Sequence, residues 1–179
     1  MTGNDVAVLL SFLAAAVALA GFAGIVTSID RRTAMATDEV ISFRVRNLVL
    51  AAVLSVMLAM QPILLDALQL LPMSLWQFAC MTSAISQIWL LIHQTQNRFR
   101  MKAAGRDSGL SRPLFAFNTT MAAAGFLVTL LGASGILPGR GAYFVGLFYL
   151  QYLMCSLFYR IIVVADEAAR RTASPSSSA

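Results

Sequence analysis

Val6 to Ile29 reads VAVLLSFLAAAVALAGFAGIVTSI, a run with no charged residue between Asp5 and Asp30. About 20 apolar residues in helix cross the hydrocarbon core of a bilayer, so this run predicts a transmembrane helix. The chain repeats the pattern four more times. A connector holding Arg31, Arg32, Asp38, Glu39, Arg44 and Arg46 leads into a second run, about 47–70. A third follows at about 73–95, a fourth at about 114–137 and a fifth at about 142–164, the last interrupted only by Arg160. The fold expected is an all-α integral membrane bundle of about five transmembrane helices. It occupies residues 1–170 as one domain, with a disordered Ser-rich tail at 171–179. Four spans is the alternative, with the first or fifth segment lying in the interface.

Composition agrees. The chain is 59% hydrophobic and 12% charged, where a soluble domain carries about 25% charged residues. The net charge of +5 sits beside the apolar runs, where basic residues set topology and meet anionic headgroups. The partner this implies is the lipid bilayer, not nucleic acid. Cys80 and Cys155 both lie inside apolar runs and form no C-x-x-C pair, so they read as small buried hydrophobes.

With five spans, twelve of the thirteen basic residues fall on one side and only Arg140 on the other. The positive-inside rule then places the N-terminus outside and the C-terminus in the cytoplasm. A cleaved signal peptide ending near Ala18-Leu19-Ala20 is the competing reading of the first run. Its leading segment holds Asp5 and no basic residue, which favours a retained span. Thr37, Asp38 and Glu39 suit a helix start a turn or two before the second run. A separate interfacial elbow over 38–46 is the alternative.

Small residues recur every fourth position at Ala16, Ala20, Gly24 and Ser28. The spacing returns at Ala51, Ser55 and Ala59, and at Gly125, Thr129 and Ala133. In lipid, small side chains let helix backbones approach and gain dispersion contacts, so these are expected helix-packing positions, within the chain or against a partner. The third helix is the most polar. Thr82, Ser83, Ser86 and Gln87 cluster near its midpoint, and an amide there must find partners. Ser83, Ser86 and Gln87, with Tyr149 and Tyr152 on the fifth helix, are expected to bond between helices or to line a polar path. Tyr143 and Tyr159 fit the two interfacial belts, while Gln61 and Pro62 suggest a local kink. Pro138 and Gly139 read as a turn around Arg140.

No charged residue stands near the middle of a span, and His93 is the single histidine. One chain therefore offers no bis-histidine haem site and no multi-histidine zinc site. No nucleophile triad, carboxylate pair or phosphate loop appears. The expectation is no enzyme activity, no cofactor and no metal.

The segment AGFAGIVTSIDRR (Ala20 to Arg32), the R-x-R at Arg44 and Arg46, and YFVGLFYLQYLMCSLFYRII from Tyr143 together resemble a group of small, uncharacterised bacterial polytopic inner-membrane proteins. The resemblance implies a multi-pass helical fold in a bacterial inner membrane. It brings no activity, cofactor or site residue. The function expected is a non-enzymatic protein acting through helix contacts, as a homo-oligomer or with another membrane protein as an accessory subunit. The alternative is a small channel or transporter with a polar path along the third helix.

Overall fold

The computed structural model describes residues 1–32, 39–68, 74–103 and 112–173, the side chains at 23, 26–32, 39–44, 98, 101–102, 112–115 and 163–173 excepted. These residues form five helices: α1 (Gly3–Arg32), α2 (Glu39–Leu68), α3 (Leu75–Ala103), α4 (Arg112–Ala133) and α5 (Gly139–Ala173). Among the described residues there is no strand. Each helix contains an apolar stretch long enough to cross a membrane: Gly3–Phe22, Val45–Leu68, Leu75–Asn97, Ala116–Ala133 and Gly139–Ile162.

The ends follow from local chemistry. Thr2 and Asp5 form a reciprocal cap at the start of α1, Thr2 N donating to Asp5 Oδ2 at 2.9 Å and Asp5 N to Thr2 Oγ1 at 3.3 Å. This satisfies the Thr2 amide and supplements the bond of the Asp5 amide to the Thr2 carbonyl at 3.0 Å. Ser74 caps α3 by accepting from Gln77 N at 3.3 Å. α2 is continuous from Glu39 through Arg46, without a break setting off an elbow. Thr37 and Asp38 lie outside the described residues.

The junction between α4 and α5 corrects the sequence reading. α4 stops at Ala133, short of 137, because Gly135 adopts φ +78°. There Ile136 N donates to Leu131 O and Gly135 N to Gly132 O, a left-handed glycine cap. Pro138 instead opens α5, accepting from Ala142 N at 3.1 Å. Arg140 lies in the first turn of α5, not in a loop. α5 also runs to Ala173, past the boundary expected at 170. Residues 174–179 of the tail lie outside the described residues.

α5 is the hub. Among the described residues it packs against all four other helices, while α1, α2, α3 and α4 contact only their sequence neighbours around it. Among the described residues α1 and α4 do not touch. α1 therefore has two neighbours, α2 and α5. The broad buried face of α5 explains its place: Tyr143, Leu147, Leu150, Met154 and Ile161 are all buried.

Besides apolar packing, polar links join the helices. Nearly every contacting pair has one such link. Arg140 Nε meets Asp5 Oδ1 at 2.7 Å, joining α5 to α1. The amine of Met1 meets Asp66 Oδ1 at 3.2 Å, joining α1 to α2. Thr82 Oγ1 donates to Gln61 Oε1 at 2.7 Å between α3 and α2. Cys80 Sγ donates to the Gly139 carbonyl at 3.1 Å between α3 and α5. Tyr152 donates to Asn118 Oδ1 at 2.6 Å between α5 and α4.

The remaining link answers a defect in α2. Pro62 lacks an N–H, so the carbonyl of Leu58 loses its intrahelical donor. The buried Tyr143 hydroxyl donates to that carbonyl. Tyr143 is therefore no belt residue. It is fully buried against Trp76 and Phe144, because the orphaned carbonyl gives its hydroxyl a partner inside the bundle.

Candidate functional site

Two features stand out, one closed and one open. The closed one is the crossing of α3, α4 and α5, which holds Ser83, Gln87, Gly125, Thr129 and Tyr149. All five are buried. Their convergence depends on Gly146 of α5. A Cβ there would lie 2.6 Å from Thr129 Cγ2, 2.8 Å from Gln87 Nε2 and 2.9 Å from Ser83 Oγ. Gly125 lies against Tyr149, where an added Cβ would come within 3.2 Å of the ring base. Gly132 lies similarly against Ala142 and Cys80.

Hydrogen bonding at this crossing runs mainly along single helices. Gln87 Nε2 donates to Ser83 Oγ at 3.2 Å within α3. Gln87 Oε1 has no partner among the described residues. Thr129 bonds back to the carbonyls of Gly125 and Phe126 at 3.0 and 2.9 Å. Ser86, half-buried, bonds back to Thr82 O at 2.8 Å. Tyr152 reaches Asn118 across helices, whereas Tyr149 makes no hydrogen bond among the described residues. The polar groups thus meet by packing more than by interhelical bonding, with no room at Gly146 for a side chain between them.

The open feature is α1. The stripe read from the sequence turns inward at Ala16, which is fully buried, is half-buried at Ala20 and exposed at Gly24. A Cβ on Gly24 would meet nothing within 4 Å. The side chain of Ser28 lies outside the described residues. On α2, Ala51, Ser55 and Ala59 are all buried. On α4, Gly125 and Thr129 are buried and Ala133 is half-buried.

A second set of small residues on α1 faces away from the bundle. Ala7, Ser11, Ala14, Ala18 and Gly21, at alternating spacings of four and three, are all exposed. Ser11 Oγ is satisfied within the helix by Ala7 O at 2.9 Å. A seam of this period is one along which a second helix can run closely.

Several of these positions escape a reading of the sequence alone. Gly146, Gly132 and Asn118 sit in no motif, and their importance comes from which helix crosses them. The outward seam of α1 has a legible period, but the sequence does not say which face α2 and α5 cover. The signal for Asp5 and Arg140 was their isolation: they are the only charges flanking the first and fifth runs at that end, and opposite in sign.

No protein-family model, no curated protein and no solved structure matches this chain.

Proposed function

We propose that this is a non-enzymatic, multi-pass protein of a bacterial inner membrane, with its N-terminus outside and its C-terminus in the cytoplasm. In this reading it acts through helix contacts, as a homo-oligomer or as an accessory subunit of a larger membrane assembly. The observation that carries the reading is the outward seam of α1. Among the described residues this helix has two neighbours, α2 and α5, and it presents Ala7, Ser11, Ala14, Ala18 and Gly21 to its surroundings. Small side chains add little contact with acyl chains but permit close approach by another helix.

The test is to fill the seam. Ala14→Leu with Ala18→Leu is expected to release the partner chain during mild extraction, while the fold itself changes by no more than about 0.5 kcal/mol, as usual for exposed positions. Val53→Leu, at an exposed position of α2, should leave assembly intact. Assembly that survives the α1 double variant unchanged would remove the basis of the proposal.

One observation favours the channel or transporter reading: the unpartnered Gln87 Oε1 at the bundle centre. Against it, the crossing at Gly146 is closed on three sides by Ser83, Gln87 and Thr129. A path would require α5 to move away from α3 and α4.

The orientation has its own test. In a Cys155→Ser background, cysteine at Gly141, an exposed position whose Cβ meets nothing within 4 Å, should react with a membrane-impermeant maleimide added outside. Cysteine at Ser108 should react only after the membrane is opened. The reverse pattern would invert the topology.

A further inference from the structure

We infer that the ion pair between Asp5 and Arg140 is a rotational key for α1, fixing which of its two small-residue faces looks outward. The inference rests on the bilayer-spanning reading above and adds a control to the seam proposed there. The two faces lie on opposite sides of the helix. One is centred on the fully buried Ala16, and the other is the exposed line of Ala7, Ser11, Ala14, Ala18 and Gly21. Ala14 and Ala18 are each two residues from Ala16, about 200° of turn away.

Little else on α1 tells the faces apart. Between Val6 and Phe22 the one polar side chain is Ser11, and its hydroxyl is taken up by Ala7 of its own helix at 2.9 Å. Both faces are apolar, so in lipid neither is driven inside by its chemistry, and Leu9 and Ala16 fill the contact by shape. Asp5 differs. It lies on the Ala16 face, about three turns earlier, with a side chain 3% exposed. Its Oδ2 accepts from Thr2 N at 2.9 Å, and its Oδ1 meets Arg140 Nε at 2.7 Å with no other partner among the described residues. Turning the seam inward would carry this carboxylate away from Arg140 and towards hydrocarbon, where a lone charge is heavily penalised.

The neighbouring pair of the Met1 amine and Asp66 cannot play this part. Met1 precedes α1, which starts at Gly3, so its amine can follow the helix without fixing its rotation. The far end of the described face supplies a reporter. There Phe22 meets Phe158 of α5 edge to face, with centroids 5.3 Å apart and planes at 74°. Phe22 is about 25 Å along the helix from Asp5, too far to respond to a merely local change.

The test is cross-linking of the full chain in its native membrane, in a Cys155→Ser background. Phe22→Cys with Phe158→Cys should be joined readily by a short bis-methanethiosulfonate. Gly21→Cys with Phe158→Cys, one residue round the helix on the exposed seam, should be joined several-fold more slowly. Asp5→Asn or Arg140→Gln should bring the two rates together and release the partner. Arg140→Lys, which keeps the charge, should preserve the difference, and so should Asp66→Asn.

A difference that survives both Asp5→Asn and Arg140→Gln would overturn the key. Loss of both cross-links would overturn it too, since α1 would then be leaving the bundle instead of turning. Equal convergence in Asp66→Asn would reduce the pair to a general tether. Rates that converge while the partner stays bound would uphold the key and count against the seam as the assembly surface, so the two readings fail separately.

Discussion

A leucine at Gly146 is expected to destabilise the bundle by more than the ~1–3 kcal/mol typical of overpacking. Even alanine there should cost about that much, because its Cβ would meet Thr129, Gln87 and Ser83 within 2.9 Å. Gln87 and Ser83 can shift their terminal atoms, but the β-branched Thr129 is held by bonds to two carbonyls of its own helix. Relief then requires α5 to separate from α3 and α4 together, and α5 is the helix on which all the others lean. Gly141→Leu, at an exposed position of the same helix, provides the contrast, with an expected change within about 0.5 kcal/mol. Its Cβ would meet nothing within 4 Å. Unfolding in mixed micelles by titration with a denaturing detergent measures both. Similar losses at the two positions would contradict the placement of the closed crossing.

Tyr143→Phe should cost about 1–3 kcal/mol, the penalty for leaving a buried acceptor unpaired. The acceptor is the Leu58 carbonyl, which Pro62 cannot serve. The explanation can be separated from simple packing. In a Pro62→Ala background residue 62 regains its N–H and can donate to Leu58, so losing the Tyr143 hydroxyl should then cost well under about 1 kcal/mol. A double-mutant cycle reads the difference as coupling of about 1–2 kcal/mol. Strict additivity would mean that Tyr143 matters for its ring alone.

The helices were legible because hydropathy is a one-dimensional signal. A run such as Val6–Ile29 can satisfy its backbone in lipid only as a helix, and five helices long and apolar enough to span a membrane appear close to the expected runs. Their ends were less legible. Pro138-Gly139 reads as the turn, yet Gly135 takes the left-handed conformation. Many sequences offer two glycines near a helix end, and the choice depends on which carbonyls need capping.

The contacts were least legible. Tyr143 reads as a belt residue from its distance to the end of the run, and only the missing N–H at Pro62 in a neighbouring helix explains its burial. Gln87 reads as an interhelical bonder; its Nε2 donates to Ser83 along α3, and its place beside Gly146 of α5 follows from a helix crossing that no period in the sequence marks. The face that α1 hides also depends on α2 and α5, so both small-residue stripes were present in the sequence without a way to rank them.

The mass and composition of the protein extracted from its native membrane in mild detergent decide whether it acts through helix contacts. Acting through helix contacts predicts a species heavier than one 19.3 kDa chain by whole protein subunits, either further copies or a stoichiometric second protein. A uniform single chain carrying only lipid and detergent would contradict it.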